Sequence, residues 1–192
     1  MPQPRPKYLS GSYYHFYNRG RSRLSIFREE DNYLFVLRKI KHYLPILELT
    51  MIAYCLMPNH YHFLVRQDGE PSAGLLPQRV FNSYPKAYNK RYSHSGTLFE
   101  GNYHVKQVQS DTHLMHLCRY IHGNPVKDGM VSNPANWPYS NYLEWIGERE
   151  GILYDPGFVH QNFISSAAYR VFVLDDLHGR DLPDEIRQFL EI

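Results

Sequence analysis

The chain has 192 residues, 43% of them hydrophobic, with 21 basic and 19 acidic side chains and a formal net charge of +2. That length suits one folded domain with an appendage, and no apolar run approaches the roughly 20 residues that a membrane-spanning helix needs. The opening stretch, MPQPRPKYLSGS, lacks the apolar centre of a secretory signal. The two cysteines, Cys55 and Cys118, each stand among apolar residues and read as reduced core thiols of a cytoplasmic protein rather than as a disulfide. The small net charge hides an asymmetry: residues 1–146 carry 17 basic and 10 acidic side chains, net +7, whereas residues 147–192 carry 4 and 9, net −5. A basic body points to a polyanionic partner, and the acidic tail is either a solvated helix or a competitor for that partner's groove.

From the N-terminus, Tyr13, Tyr14, His15, Phe16, Tyr17 and Asn18 make a β-prone aromatic run, so a strand is expected over 13–18. Arg19 and Gly20 end it, and a basic loop with Arg21 and Arg23 follows. Tyr33, Leu34, Leu37, Ile40 and Leu44 recur at helical spacing across 29–44, with acidic residues in the first turn and Pro45 as the expected stop. Strands are expected over 47–57 and 60–67, with only Pro58 and Asn59 to turn between them. Residues 74–92 read as a helix that Pro85 should kink or restart. A fourth strand over 103–109 follows, then a helix that Asp111 can cap and that runs through Ile121 to end at Gly123, Asn124 and Pro125. The residue before a proline avoids the α region, which puts Asn124 just beyond the last turn.

The order β-α-β-β-α-β is that of a ferredoxin-like sandwich, an α+β fold in which one antiparallel sheet carries its helices on one side. Beyond it come the helix after the fourth strand and a helical C-terminal tail. Past Trp137 and Pro138, helices are expected near Asp155 and Pro156, over 165–177 and over 181–190. The chain therefore divides into a body, 1–146, and an acidic extension, 147–192. Val171, Phe172, Leu174 and Leu177 could dock that extension, letting Asp175, Asp176 and the acidic residues of 181–185 lie over a basic groove.

The stretch LMPNHYHFLV carries the first chemical signal. On a strand His60 and His62 point to one face while Tyr61, Phe63 and Val65 point to the other, and two neutral imidazoles side by side can share a metal ion. In a chain with 11 histidines the pair also has an ordinary structural reading. The second signal is the spacing of four that sets His116, Tyr120 and Asn124 along one helical face. A tyrosine beside a polarised phosphate can act as a nucleophile, although among 17 tyrosines a helix-borne one also reads as the edge of a core. Phosphate contacts are expected from Asn18, Arg19, Arg21 and Arg23 after the first strand, and from Lys86, Lys90, Arg91 and Lys106. Tyr88, Tyr92 and Tyr103 could stack unpaired bases or pack the core.

Five blocks in this order, YYHFYNRG, AYCLMPNHYHFLV, AYNKRYSHSGTLFEG, the strand after it, and RYIHGNPVKDGMV, resemble the REP-associated tyrosine transposases of the HUH superfamily of single-strand DNA nucleases. The resemblance covers about residues 13–145. It implies that His60 and His62 hold a divalent metal, that Asn124 one turn after the tyrosine completes the site, and that Tyr120 attacks DNA to give a 5′-phosphotyrosine and a free 3′-hydroxyl. It implies a single-stranded, hairpin-forming DNA substrate, and a monomer or a homodimer that exchanges its tyrosine helices. Imidazole favours softer ions, so Mn²⁺ is the expected ion in vitro, with Mg²⁺ in the cell. The chain departs from the family pattern in three places. Gly123 replaces a bulky residue and should fray the helix end, His122 replaces a frequent carboxylate and is a rival ligand, and Asn102 stands where an arginine is usual. Two other classes stay open: a non-catalytic DNA- or RNA-hairpin-binding regulator, and a metal-dependent hydrolase that uses water with the same histidines.

Overall fold

Why the two faces of the sheet differ follows from strand alternation and strand order. The computed structural model describes residues 6–177. Its strands are β1 (Tyr13–Arg19), β2 (Leu49–Met57), β3 (His60–Gln67) and β4 (His104–Val108), arranged β2-β3-β1-β4 with every neighbour antiparallel. This is the expected ferredoxin-like sheet. With a period of two, His15, Tyr17, His60, His62, His104 and Lys106 share one face, and Tyr14, Phe16, Tyr61, Phe63 and Val65 share the other.

The apolar face is covered by α1 (Glu30–Ile46), α2 (Leu75–Phe81) and α3 (Tyr84–Tyr92). Phe81 of α2 stacks on Tyr61 and Phe63 at ring-centroid distances of 4.5 and 6.1 Å. Each such ring, fully withdrawn from water, contributes about 2–3 kcal/mol of burial. The histidine-bearing face is covered instead by α4 (Asp111–Lys127), the helix that follows β4.

Several element boundaries differ from expectation for local reasons. α1 runs one residue past Pro45, which sits in its last turn where only one backbone bond is forfeited. The 74–92 segment is two helices broken at Asn82 and Ser83, and Pro85 occupies the first turn of α3, where its missing N–H would be unpaired anyway. α4 is capped by Ser110, whose Oγ accepts from the His113 N–H at 3.2 Å, rather than by Asp111. It continues through Asn124 and Pro125 to Lys127, so Asn124 is a helical residue and Gly123 does not fray the end. Packing overrides the local bias there: a Cβ on Gly123 would lie 3.2 Å from Leu177 Cδ2, so the glycine admits the neighbouring helix.

That neighbour is α7 (Ser166–Leu177), which follows the short α5 (Tyr142–Trp145) and α6 (Pro156–Asn162). Tyr169 and Val173 are fully buried against α4, and Asp176 sits between Lys127 Nζ at 2.7 Å and Arg119 Nη2 at 3.4 Å. The extension as far as Leu177 therefore completes the core instead of lying over a groove. The helix expected over 181–190, and the acidic residues of 181–185, lie outside the described residues. The exposed edge of β2 is also covered: Leu56 N–H donates to Tyr139 O at 2.9 Å and Trp137 Nε1 to Leu56 O at 3.1 Å. Cys55 and Cys118 are buried and unpaired, as expected. Among the described residues no helix is long and apolar enough to cross a membrane.

Candidate active site

The packing of α4 on the polar face of the sheet brings together four side chains that are far apart in sequence. His60 Nε2 lies 3.2 Å from Asn124 Oδ1, and the Tyr120 ring meets His62 edge-on with centroids 5.6 Å apart. The two imidazoles are themselves 5.1 Å apart, centroid to centroid. Asn124 and Tyr120 are one helical turn apart, and Asn124 Nδ2 donates to the Tyr120 carbonyl at 3.3 Å.

The hydrogen bonds behind these groups fix where their protons sit. Asn59 Oδ1, an acceptor, lies 2.7 Å from His60 Nδ1, the shorter of its two amide contacts, which favours the proton on Nδ1 and a lone pair on Nε2. That lone pair faces the Asn124 amide oxygen, another acceptor. A contact of 3.2 Å between them is satisfied by a proton on Nε2 or, with Nε2 bare, by a cation bound to both. The spacing is also that of neighbouring ligands around one ion held by bonds of about 2.1 Å. His62 meets His15 through Nδ1, 3.0 Å from His15 Nε2, which leaves its Nε2 as the nitrogen open to an ion. The donor set of two imidazoles and an amide oxygen thus fits a divalent cation of intermediate softness. Among the described residues no three His, Cys, Asp or Glu side chains are placed to hold a metal ion together, and the third donor here is an amide.

Electrostatics keep the imidazoles neutral, the form that binds metal. Burial lowers the His60 pKa, an effect partly offset by Asn124 and Asp128. His62 is held well below the ordinary range by burial first, then by His60 and His15. His15 is lowered to about 3, by burial and then by Lys106. The Tyr120 hydroxyl is pushed up, chiefly by burial, so at neutral pH it is a phenol and not a phenolate.

These groups open into a cleft of about 650 Å³ that also takes in Tyr17, Asn18, Arg19, Arg23, His104 and Asp128. Tyr17 and His104 stack at 5.1 Å and 14° on one wall. Arg19 pairs with Glu100 at the rim, and Lys106 Nζ lies 6.0 Å from the Tyr17 ring centroid. Arg23 reaches the cleft from a tight turn, Arg21–Arg23, in which Ser22 and Arg23 both adopt left-handed backbone, φ 52° and 61°. Such a conformation is unfavourable by about 1 kcal/mol or more per non-glycine residue, and here it turns the Arg23 backbone at the cleft rim.

Not every expected contact converges. Arg21 turns to Thr97 Oγ1 at 3.1 Å, outside the cleft. Lys86, Lys90 and Arg91 lie on α3, in the layer behind the opposite face of the sheet, and Arg91 pairs with Glu29 at 2.7 Å and Asp31 at 3.1 Å. Tyr88 and Tyr103 donate to the carbonyls of Ser25 and Gly74, and Tyr92 bonds Glu29 and Asn32, so these three tyrosines anchor loops and helices. His116 packs on Phe172 of α7 rather than toward the histidine pair. His122 is buried between Tyr169 and Asn141 and is no rival ligand. His15, Asn59, Tyr17 and His104 were not singled out from sequence. The alternation of His15 with Tyr17 was visible there, but its meeting with His62 depends on strand register.

Comparison with known proteins follows the same lines. A family model described as "Transposase IS200 like" matches residues 8–124. A Haemophilus influenzae protein named for the REP-associated tyrosine transposases is 28% identical over 102 residues, which are 47% of this chain and 57% of that protein. The match therefore spans little more than half the length of that relative. Among solved structures, one titled as a REP-associated tyrosine transposase bound to a REP hairpin superposes with a TM-score of 0.65 at 18% identity, covering 81% of this chain and 94% of the other. At that identity it shows a shared fold.

Proposed function

The chain belongs to the IS200-like transposase family, and we propose that it cuts and rejoins single-stranded DNA at hairpin-forming sites through a phosphotyrosine at Tyr120. The observation that carries this reading is the juxtaposition of Tyr120 with His62 at 5.6 Å and of His60 with Asn124 at 3.2 Å within one chain. A tyrosine and a candidate metal-ligand set that face each other across an open cleft support a catalytic reading over a merely structural one. A divalent ion, Mn²⁺ or Mg²⁺, held by His60, His62 and Asn124 would neutralise charge on a non-bridging oxygen of the scissile phosphate.

The protein's own groups account for the rest. Arg19, Arg23 and Lys106 bind the phosphates on either side and orient the strand, while Tyr17 and His104 offer a ring face to an unpaired base. The Tyr120 oxygen attacks phosphorus as its proton passes to water, the P–O3′ bond breaks, and the 3′-oxygen takes a proton from water to leave as a 3′-hydroxyl. One phosphodiester is exchanged for another, so a second 3′-hydroxyl can reverse the step and join strands without a nucleotide cofactor. Burial pushes the Tyr120 phenol above its ordinary pKa, so the attacking oxygen starts as a phenol. That the four side chains meet within one chain supports cleavage in cis over exchange of tyrosine helices in a dimer. Residues 1–146 carry the chemistry, and the extension from 147 to 177 steadies α4 from behind. The relative whose structure holds a REP hairpin makes a hairpin the first substrate to try.

The test is incubation of the full chain with end-labelled single-stranded hairpin DNA and Mn²⁺, followed by a denaturing gel. A covalent protein–DNA band is expected. Free cleaved ends without an adduct would point to water as the nucleophile. A shift seen only on a native gel would point to a binding regulator.

A further inference from the structure

We infer that His15 is a positioning residue that sets the tautomer of His62, an inference that rests on the metal-site reading above. His62 Nδ1 and His15 Nε2 are 3.0 Å apart in the interior, and both residues are almost fully buried. Exactly one proton can lie between them, and its owner decides whether His62 can bind an ion. When His62 holds it on Nδ1, His15 Nε2 accepts, and His62 Nε2 is a bare lone pair facing the cleft. When His15 holds it on Nε2, His62 must carry its own proton on Nε2, and the site is closed. Both rings stay neutral in either arrangement, so no proton is gained or lost.

The second ring nitrogen of His15 makes the pair bistable. His15 Nδ1 is buried and has no hydrogen-bond partner among the described residues. It is an unpaired donor in the open arrangement and an unpaired acceptor in the closed one. Nothing bonded to His15 Nδ1 therefore selects a tautomer, and the arriving ion selects the open one. His60 is biased from outside the pair, because Asn59 Oδ1 at 2.7 Å lies closer than Asn124 Oδ1 at 3.2 Å and favours the proton on Nδ1. The two imidazoles are thus held by different devices: Asn59 biases His60 toward the ligand form, and His62 is brought to it through His15.

Calorimetric titration of the full chain with Mn²⁺ tests this. His15→Leu, which removes the acceptor at similar volume, should weaken Mn²⁺ binding about 10–100-fold, as loss of a group that orients a metal ligand does. His15→Gln, whose side-chain oxygen can accept from His62 Nδ1, should stay within about threefold of the parent chain. A His15→Leu chain that binds within about twofold of the parent would overturn the proposal. If His15→Leu does not fold, ¹⁵N imidazole spectra of the parent chain with Zn²⁺ decide: protons on Nδ1 of both His62 and His15 are expected, and a proton on His15 Nε2 with the ion bound refutes it. Failure of the underlying reading looks different: His60→Ala and His62→Ala would then bind Mn²⁺ as the parent chain does, and the role of His15 would fall with it.

Discussion

Two buried histidines, His62 on β3 and His122 on α4, share a residue type, a depressed pKa and almost complete burial, yet they sit in opposite environments. Every polar atom of the His122 ring is answered inside the protein. Its Nε2 donates to Asn141 Oδ1 at 2.9 Å, and its Nδ1 accepts from the Tyr169 hydroxyl at 2.5 Å. Asn141 is oriented in turn by the Tyr54 N–H at 2.8 Å and the Ile52 carbonyl at 2.9 Å. That network ties α4 to β2 and to α7 and leaves no atom for a ligand. On the other side of the same helix, the His60 and Asn124 acceptors face each other, and one nitrogen of His62 is left toward an open cleft. Satisfied polar groups build the scaffold, and ring nitrogens that face a cleft are the ones available to a ligand.

This contrast can be broken first on the chemical side, where the largest effect is expected. His60→Ala or His62→Ala should weaken Mn²⁺ binding by about 100-fold or more and take DNA cleavage below detection, while thermal unfolding of the metal-free chain moves little for the partly exposed His60. Because burial lowers both imidazole pKa values, protons should displace Mn²⁺ only below the ordinary histidine value of about 6.5. Calorimetry across pH 5 to 7 (a window around about 6.5) reads this directly.

On the scaffold side, His122→Ala should lower stability by about 3 kcal/mol, since it empties a buried site, strands the Tyr169 hydroxyl and removes one bond from Asn141. The pH dependence carries a sign that can be worked out. His122 is lowered to about 4, so below its unfolded value of about 6.5 the unfolded chain binds a proton that the folded chain refuses. The stability it contributes is complete above that value and is lost as pH falls toward the folded one, at about 1.4 kcal/mol per unit. Denaturant unfolding at several pH values should show that part of the slope vanish in His122→Ala.

Asp176→Ala leaves Arg119 and Lys127 without their shared carboxylate. The expected loss is about 2 kcal/mol, below the roughly 3–5 of a fully buried pair because Lys127 can turn to water. Chemical denaturation checks it, and deletion of the whole extension from 147 should give insoluble protein. The smallest effect is at the cleft rim. Arg23→Ala should reduce the slope of log affinity against log salt by about 0.7 for a single strand, read by fluorescence anisotropy.

The contrast also separates what the sequence discloses from what it withholds. Alternation placed His60 and His62 on one face, and the spacing of four placed Tyr120 with Asn124, because both signals are local periodicities. The β-α-β-β-α-β order led to the sheet topology for the same reason. What escaped were contacts made by register and by packing across long separations. His15 meets His62 only because β1 pairs with β3 antiparallel, and Tyr169 reaches His122 only because Gly123 lets α7 close on α4. Asn124 was read as lying outside the helix since its proline neighbour disfavours α backbone, and burial against the sheet and α7 prevailed. Charge counting suggested a tail over the groove, whereas Asp176 spends its charge on two cations of α4.

The central claim is that Tyr120 attacks the DNA strand from beside the His60, His62 and Asn124 set. Its most direct test is to trap the covalent product of the parent chain with hairpin DNA and Mn²⁺, digest it, and map the modified peptide by mass spectrometry. The account predicts a single nucleotide-bearing residue at Tyr120 and no adduct in Tyr120→Phe, which loses a hydroxyl but keeps its ring beside His62 and still binds the hairpin. An adduct mapped to another tyrosine, or one that persists in Tyr120→Phe, would contradict it.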